Sequence, residues 1–290
     1  MKSLVLAVAA AGCGFEAPPF QDNPIDARPD ARDSDVPPEG IQPGTPLHLL
    51  ISEVQTNQNS EFIEIYNPSE DPIDLTNYYL SDTREYWKLP GLVAGNEVLA
   101  PSPSDYLLRF PTGTSIPAHG VQTIAVNAPE FFIEFASRAT YSMAFPDGVA
   151  TPMIQMAAIN LSTQLTNAGE FAVVFYWDGT SDLVKDVDLV VYGAAPQNGP
   201  GNTPALKGSV DGPDADLVKS AYATDRLING DFPADALDDT SYKRTKLEGT
   251  SEVHDGTGNG IDGDDETSET MTMNWEGPIS VPTPGMVTLP

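Results

Sequence analysis

ISEVQTNQNSEFIEIYNPSEDPIDLTNYYLSD, residues 51–82, sets the texture of the folded part. Two runs, LLISEV (49–54) and EFIEIYN (61–67), are rich in branched and aromatic residues and flank the polar segment TNQNS. Side chains of this kind suit a pleated, half-buried surface, and a polar turn between two such runs signals a hairpin. PIDLTNYYLSD (72–82) and EYWKLP (85–90) follow as further extended candidates, and GVQTIAV (120–126) comes after the turn IPAHG. EFAVVFYW (170–177) is apolar on both faces, which predicts a strand in the middle of the packing. WDGTSD turns the chain, and LVKDVDLVVY (183–192) returns. In that return strand Val187, Leu189 and Val191 share one face while Asp186 and Asp188 lie on the other.

Two segments have the helical period. NAPEFFIEFASR (127–138) offers Asn127 as a cap, Pro129 in the first turn and Phe131, Phe132 and Phe135 along one side as core. DGPDADLVKSAYATDRL (211–227) starts acidic and places Leu217, Val218, Ala221 and Tyr222 in a stripe. Many short strands, with 27 prolines and 24 glycines in 290 residues, predict an all-β fold: a β-sandwich with short helical insertions.

The chain resembles the lamin tail domain family, whose module is an immunoglobulin-like sandwich. The resemblance is carried by Ser52, Glu53 and Val54, by Phe62, Ile63, Glu64, Ile65 and Asn67, and by Asp74, Leu75, Tyr78, Leu80 and Asp82. LTNAGEFAVVFYWDG (165–179) resembles the family's strand pair that ends in a sharp turn. SYKR (241–244) resembles its Ser-x-x-Arg, and NWEGPISVPTPGMV (274–287) its closing Trp and Thr-Pro-Gly. The resemblance implies one lamin-tail-like domain over 47–290, with insertions around 90–115, 139–165 and 193–238. It assigns no catalytic role to Glu64, which reads as a carboxylate hydrogen-bonded to structure or solvent at a sheet edge.

Residues 1–12 have the form of an export signal: Lys2, a compact apolar run from Leu4 to Ala11, then small residues before Cys13. The apolar run is far short of the roughly 20 residues that span a bilayer as a helix. Small residues before a cysteine resemble the lipobox of bacterial lipoproteins, which implies that Cys13 is acylated and becomes the new amino terminus. Gly14 after it implies the outer membrane or cell surface. Residues 13–46, rich in Pro, Ala and acidic residues, cannot bury enough surface to offset ordering entropy, so they read as a disordered tether. With one cysteine the chain can form no intramolecular disulfide. The formal charge of −28 argues against nucleic acid as a partner, because affinity for phosphates comes from Lys and Arg.

Catalytic motifs are missing from the sequence. His48, His119 and His254 lack metal-site spacing, and there is no nucleophile elbow. One segment does suggest a ligand. HDGTGNGIDGDDE (254–266) aligns with an EF-hand loop, with Asp255, Thr257, Asn259, Ile261 and Glu266 at ligand positions and Gly260 at the sharp turn. The same segment also reads as an acidic, glycine-rich turn with no ion. Calcium is thus the one cofactor the sequence suggests. The function expected is a membrane-anchored, non-catalytic binding or scaffolding module for a protein or polysaccharide ligand. Two alternatives stay open: a calcium-stabilised adhesion or matrix module, and a hydrolase of an extracellular polymer. The second would need facing carboxylates in a cleft and an exposed Trp87 or Trp275.

Overall fold

The computed structural model describes residues 48–56, 59–100, 104–156, 165–166, 169–193, 207–223, 240–247, 258–279 and 281–289. In chain order the strands are β1 (Leu50–Gln55), β2 (Phe62–Tyr66), β3 (Ile73–Asp74), β4 (Tyr78–Ser81), β5 (Leu107–Arg109), β6 (Ser115–Ile116), β7 (Val121–Asn127) and β8 (Tyr141–Phe145). They continue as β9 (Thr151–Pro152), β10 (Ile154–Gln155), β11 (Gly169–Tyr176), β12 (Lys185–Gly193), β13 (Ser209–Val210), β14 (Ser220–Ala221), β15 (Ser241–Arg244) and β16 (Trp275–Ile279). Among the described residues three short α-helices punctuate them: α1 (Leu89–Ala94), α2 (Ala128–Phe135) and α3 (Met271–Asn274).

The larger sheet has the order β16-β15-β1-β2-β7-β8-β9, and the second has β10-β5-β4-β11-β12. Apolar side chains from both, among them Ile51, Val54, Ile65, Leu80, Val173 and Leu189, form one buried cluster. This is the all-β sandwich the strand pattern predicts. β11 lies between β4 and β12, and its residues Phe171 to Phe175 are all buried, as a strand apolar on both faces requires. The turn after it is shaped by Asp178, whose Oδ1 accepts from the backbone N–H of Thr180 and of Ser181. α2 carries the chain from β7 to the parallel strand β8. Asn127 caps it by accepting from Glu130 N at 3.2 Å.

Four readings of the sequence need correction. EYWKLP is helical: Tyr86–Lys88 form a 3₁₀ turn that runs into α1, where Pro90 occupies the first turn and Gly95, at φ 81°, ends the helix. The described part of 211–227 forms no helix. Asp214 and Asp216 each accept from a backbone N–H two residues on, and such local bonds compete with a helix. Leu217 and Val218 of the expected stripe are exposed, while Tyr222 is buried. Phe132 is 41% exposed and packs its ring under Arg138 rather than entering the core with Phe131. Glu64 is not at an edge, since β2 is paired on both sides.

Asp186 and Asp188 are buried despite lying opposite the apolar face of β12. Arg244, at the end of β15, explains Asp188. Its guanidinium is buried, pairs with Asp188 Oδ1 and Glu269 Oε1, and donates from Nε to the Ile51 carbonyl at 2.9 Å. Asp188 Oδ2 in turn accepts from Ile51 N at 2.5 Å. The β1–β15 ladder runs over Glu53 to Gln55 and stops short of Ile51, so the ion pair takes up the peptide groups that the ladder leaves. Asn274 Nδ2 holds Glu269 at 2.6 Å, and the Trp275 ring lies 5.0 Å from the guanidinium carbon.

Removing the guanidinium would leave two buried carboxylates uncompensated. Arg244→Ala is therefore expected to lower the unfolding free energy by about 3–5 kcal/mol. Ile133→Ala, on an exposed side chain, is expected to change it by less than about 0.5 kcal/mol. Urea titration of both variants measures the difference.

Candidate functional site

The residues that carry the lamin-tail resemblance occupy structural positions. Asn67 is fully buried; its Nδ2 donates to the carbonyls of Asp71, Ile116 and Pro117, and its Oδ1 accepts from Ser69. Glu64 accepts from the Ser52 hydroxyl at 2.8 Å and from Gly285 N at 2.5 Å. Its cross-strand neighbour Glu53 accepts from Ser241 Oγ and from both the N–H and the hydroxyl of Thr283. Gly285 needs its left-handed φ of 84° to aim that N–H. Thr-Pro-Gly of the closing segment is thus pinned to β1 and β2 by two glutamates. Burial pushes Glu64 up to about 7 and also raises Glu53, against the hydrogen bonds that hold both.

Three further carboxylates meet at adjacent strand ends. Asp82 follows β4, Asp105 precedes β5 and Glu170 lies at the start of β11, and these three strands are neighbours in the second sheet. One oxygen from each lies within 4.8 Å of the other two. Asp82 is 3% exposed. Its Oδ1 accepts from Tyr106 N at 2.6 Å, while its Oδ2 is buried with no hydrogen-bond partner among the described residues. The buried Tyr106 hydroxyl is likewise unpartnered there. Thr166 N donates to Glu170 at 3.0 Å. Burial, followed by the charges of Glu170 and Asp105, raises the Asp82 carboxyl well above its ordinary range. Burial lifts Glu170 to about 8, with Asp105 adding to the effect. Oxygens bound to one calcium ion lie about 2.4 Å from it, hence no more than about 4.8 Å apart, and the cluster meets that limit.

A second group, Asp182, Asp211 and Asp214, meets the same distance limit beside the β13–β14 hairpin. Asp182 spends its oxygens on Gly212 N and Ser220 N, and Asp211 accepts from Asn96 Nδ2 at 3.0 Å. Asp182 thereby ties both ends of the hairpin segment to the chain before β12.

Of the loop read as an EF-hand, Asp255 and Thr257 lie outside the described residues, as do His254 and Cys13. Asn259 presents its side-chain oxygen to Lys207 Nζ. The Ile261 carbonyl accepts from Asp264 N at 3.3 Å, and Glu266 is buried at the start of a 3₁₀ turn. Trp87 and Trp275 are buried rather than available to stack on a sugar. The Asp82–Asp105–Glu170 group was not foreseen from the sequence, although Asp82 stands in the signature. Its members are dispersed over 82–170 and meet only through strand order.

The family model of the Lamin Tail Domain matches residues 42–177. No curated protein matches the chain. A crystal structure of a DUF4876 family protein from Bacteroides thetaiotaomicron is similar at 17% identity and a TM-score of 0.42, covering 81% of this chain and 72% of that one.

The raised carboxyls fix the sign of a pH effect. In the unfolded chain Glu64, Asp82 and Glu170 titrate near about 4. In the folded chain they hold protons to higher pH, so stability falls as pH rises through that window. In chelator, the unfolding free energy is expected to drop between about pH 5 and about pH 8, with Glu64 alone accounting for on the order of 2–3 kcal/mol of the loss. Asp82→Asn should flatten part of that slope. Urea melts across the range check both.

Proposed function

We propose, on the premise that residues 42–177 carry a lamin tail domain, that this chain is a non-catalytic binding or scaffolding module anchored to a membrane through an acylated Cys13. The observation that carries the reading is the use made of the signature's polar groups. Ser52, Glu53, Glu64, Asn67 and Asp82 direct their hydrogen bonds to the protein's own strands and closing segment. A catalytic site needs groups aimed at a substrate; here the same side chains fix the frame. A rigid sandwich of this kind offers its loops and sheet edges for recognition. The partner is a protein or polysaccharide outside the cytoplasm. The surplus of acidic residues, 42 against 14 basic, disfavours nucleic acid.

The calcium-stabilised form of this reading is favoured by Asp82, Asp105 and Glu170. A divalent cation would supply the partner that Asp82 Oδ2 lacks among the described residues and would offset the repulsion within the group. Extracellular calcium modules bind at roughly 10⁻⁴ to 10⁻³ M, which suits a structural ion.

Two measurements test the reading. At about one hundred times its dissociation constant, calcium stabilises a single site by about 2.7 kcal/mol. A matching rise in melting temperature, reversed by chelator and lost in Glu170→Gln, supports the ion. Equal melting curves with and without calcium remove it. Separately, the wild type is expected in the membrane fraction with incorporated fatty acid, and Cys13→Ser in the soluble exported fraction. Wild type that is soluble and unlabelled overturns the anchor.

A further inference from the structure

Lys207, Asp186 and Asn259 form a cluster that neither the binding role nor the carboxylate group uses. The Lys207 ammonium is fully buried, 2.6 Å from Asp186 Oδ2. It is also 2.5 Å from Asn259 Oδ1, closer than an ordinary N–H···O contact. Asn259 Nδ2 is buried and has no hydrogen-bond partner among the described residues. The Tyr86 hydroxyl donates to Asp186 Oδ1 at 2.7 Å, which leaves Oδ2 turned to the amine. The rings of Tyr86 and Tyr222 lie 5.6 and 6.0 Å from Nζ. All three residues are held in place by backbone. Asp186 N donates to the Asn259 carbonyl at 3.1 Å in a parallel bridge between Asp186 and Gly260. Tyr222 N donates to the Gly208 carbonyl beside Lys207. A Cβ on Gly260 would come within 2.6 Å of the Asp264 carbonyl, so only glycine lets the chain pass there.

We propose that Lys207 and Asn259 are joined by an intramolecular isopeptide bond, formed by the protein itself with Asp186 as proton relay. An amine, a carboxamide and a carboxylate in a dry pocket are the components that acyl transfer to nitrogen requires. Contact between Nζ and Oδ1 brings Cγ, one carbonyl bond of about 1.2 Å behind it, within reach of attack. A proton passes from the ammonium to Asp186 Oδ2, which frees the lone pair on Nζ. The pair attacks Cγ, forming the Nζ–Cγ bond and a tetrahedral centre. Asp186 relays a proton from Nζ to Nδ2, the Cγ–Nδ2 bond breaks, and the carbonyl re-forms. The former amide nitrogen leaves as ammonium. One ammonium and one carboxamide thus give one secondary amide and one ammonium ion, with no oxidant, reductant or co-reactant. Asp186 ends as it began. The unpartnered Nδ2 is the leaving group.

Peptide mapping of the full-length protein decides the matter. Trypsin does not cut after an acylated lysine. The expected product is therefore a branched peptide joining position 207 to position 259, lighter by one ammonia than its two linear parts. Two linear peptides, with Lys207 free and Asn259 intact, overturn the proposal. So does an ammonia loss confined to the Asn259–Gly260 peptide, which marks a succinimide. Asp186→Asn keeps the side-chain shape without the base and is expected to give linear peptides of unshifted mass with the far-ultraviolet circular dichroism of the wild type. A branched peptide in Asp186→Asn removes the assigned relay. The map of the wild type stands as a test even if that variant misfolds.

Discussion

The guanidinium of Arg244 is buried between strands of both sheets and is satisfied by groups from each. Ile51 of β1 gives it a carbonyl, and β12 gives it Asp188 from the opposite sheet. Asp188 then returns to the Ile51 N–H, which closes a ring of charge-assisted bonds across the interface. Replacing all of its members with apolar groups would cost little, whereas losing one leaves charges buried without a partner. A network of this kind fixes which strand faces which more than it adds to the total stability.

That ring also shows that the fold extends past the residues the lamin-tail model covers. β1 lies within 42–177, yet it pairs with β15, and β11 pairs with β12. Without the C-terminal strands the larger sheet would end at β1 and the smaller one at β11. The closing segment has the same role on the outer face of β1 and β2, where Glu53 and Glu64 hold Thr283 and Gly285. Glu53 and Glu64 therefore have partners more than two hundred positions away, and the closing segment is part of the frame.

Strand positions were legible because they depend on local patterns. Alternation and branched side chains placed β1, β2, β7, β11 and β12 within a residue or two of where they lie. The misreadings came where a local pattern had two solutions. YWKLP is aromatic enough for a strand, but Pro90 can open a helix as well as interrupt a sheet. At 211–223 an apolar stripe at helical spacing lost to aspartates that prefer to bond their own backbone. The carboxylate group and the Lys207 cluster were illegible for another reason. Their members come from three separate strands or loops, and no spacing rule reports which strand ends become neighbours. An acidic composition also hides such groups, since Asp82 and Asp186 look like the many carboxylates that only face water.

With a single cysteine the chain has no intramolecular disulfide to restrain its unfolded state. A bond between Lys207 and Asn259 supplies such a restraint. It closes a loop of 52 residues, and in the chain-entropy account such a closure is worth about 4 kcal/mol. The loop includes β15 with Arg244, so the covalent bond and the buried ion pair secure the same stretch of chain against β12. Asp186 and Asp188 are alternate residues of that strand, one serving each device. A strand that must keep both aspartates buried cannot be a plain apolar edge. The apolar face of β12 packs the core, and its acidic face receives the segments that complete the sandwich.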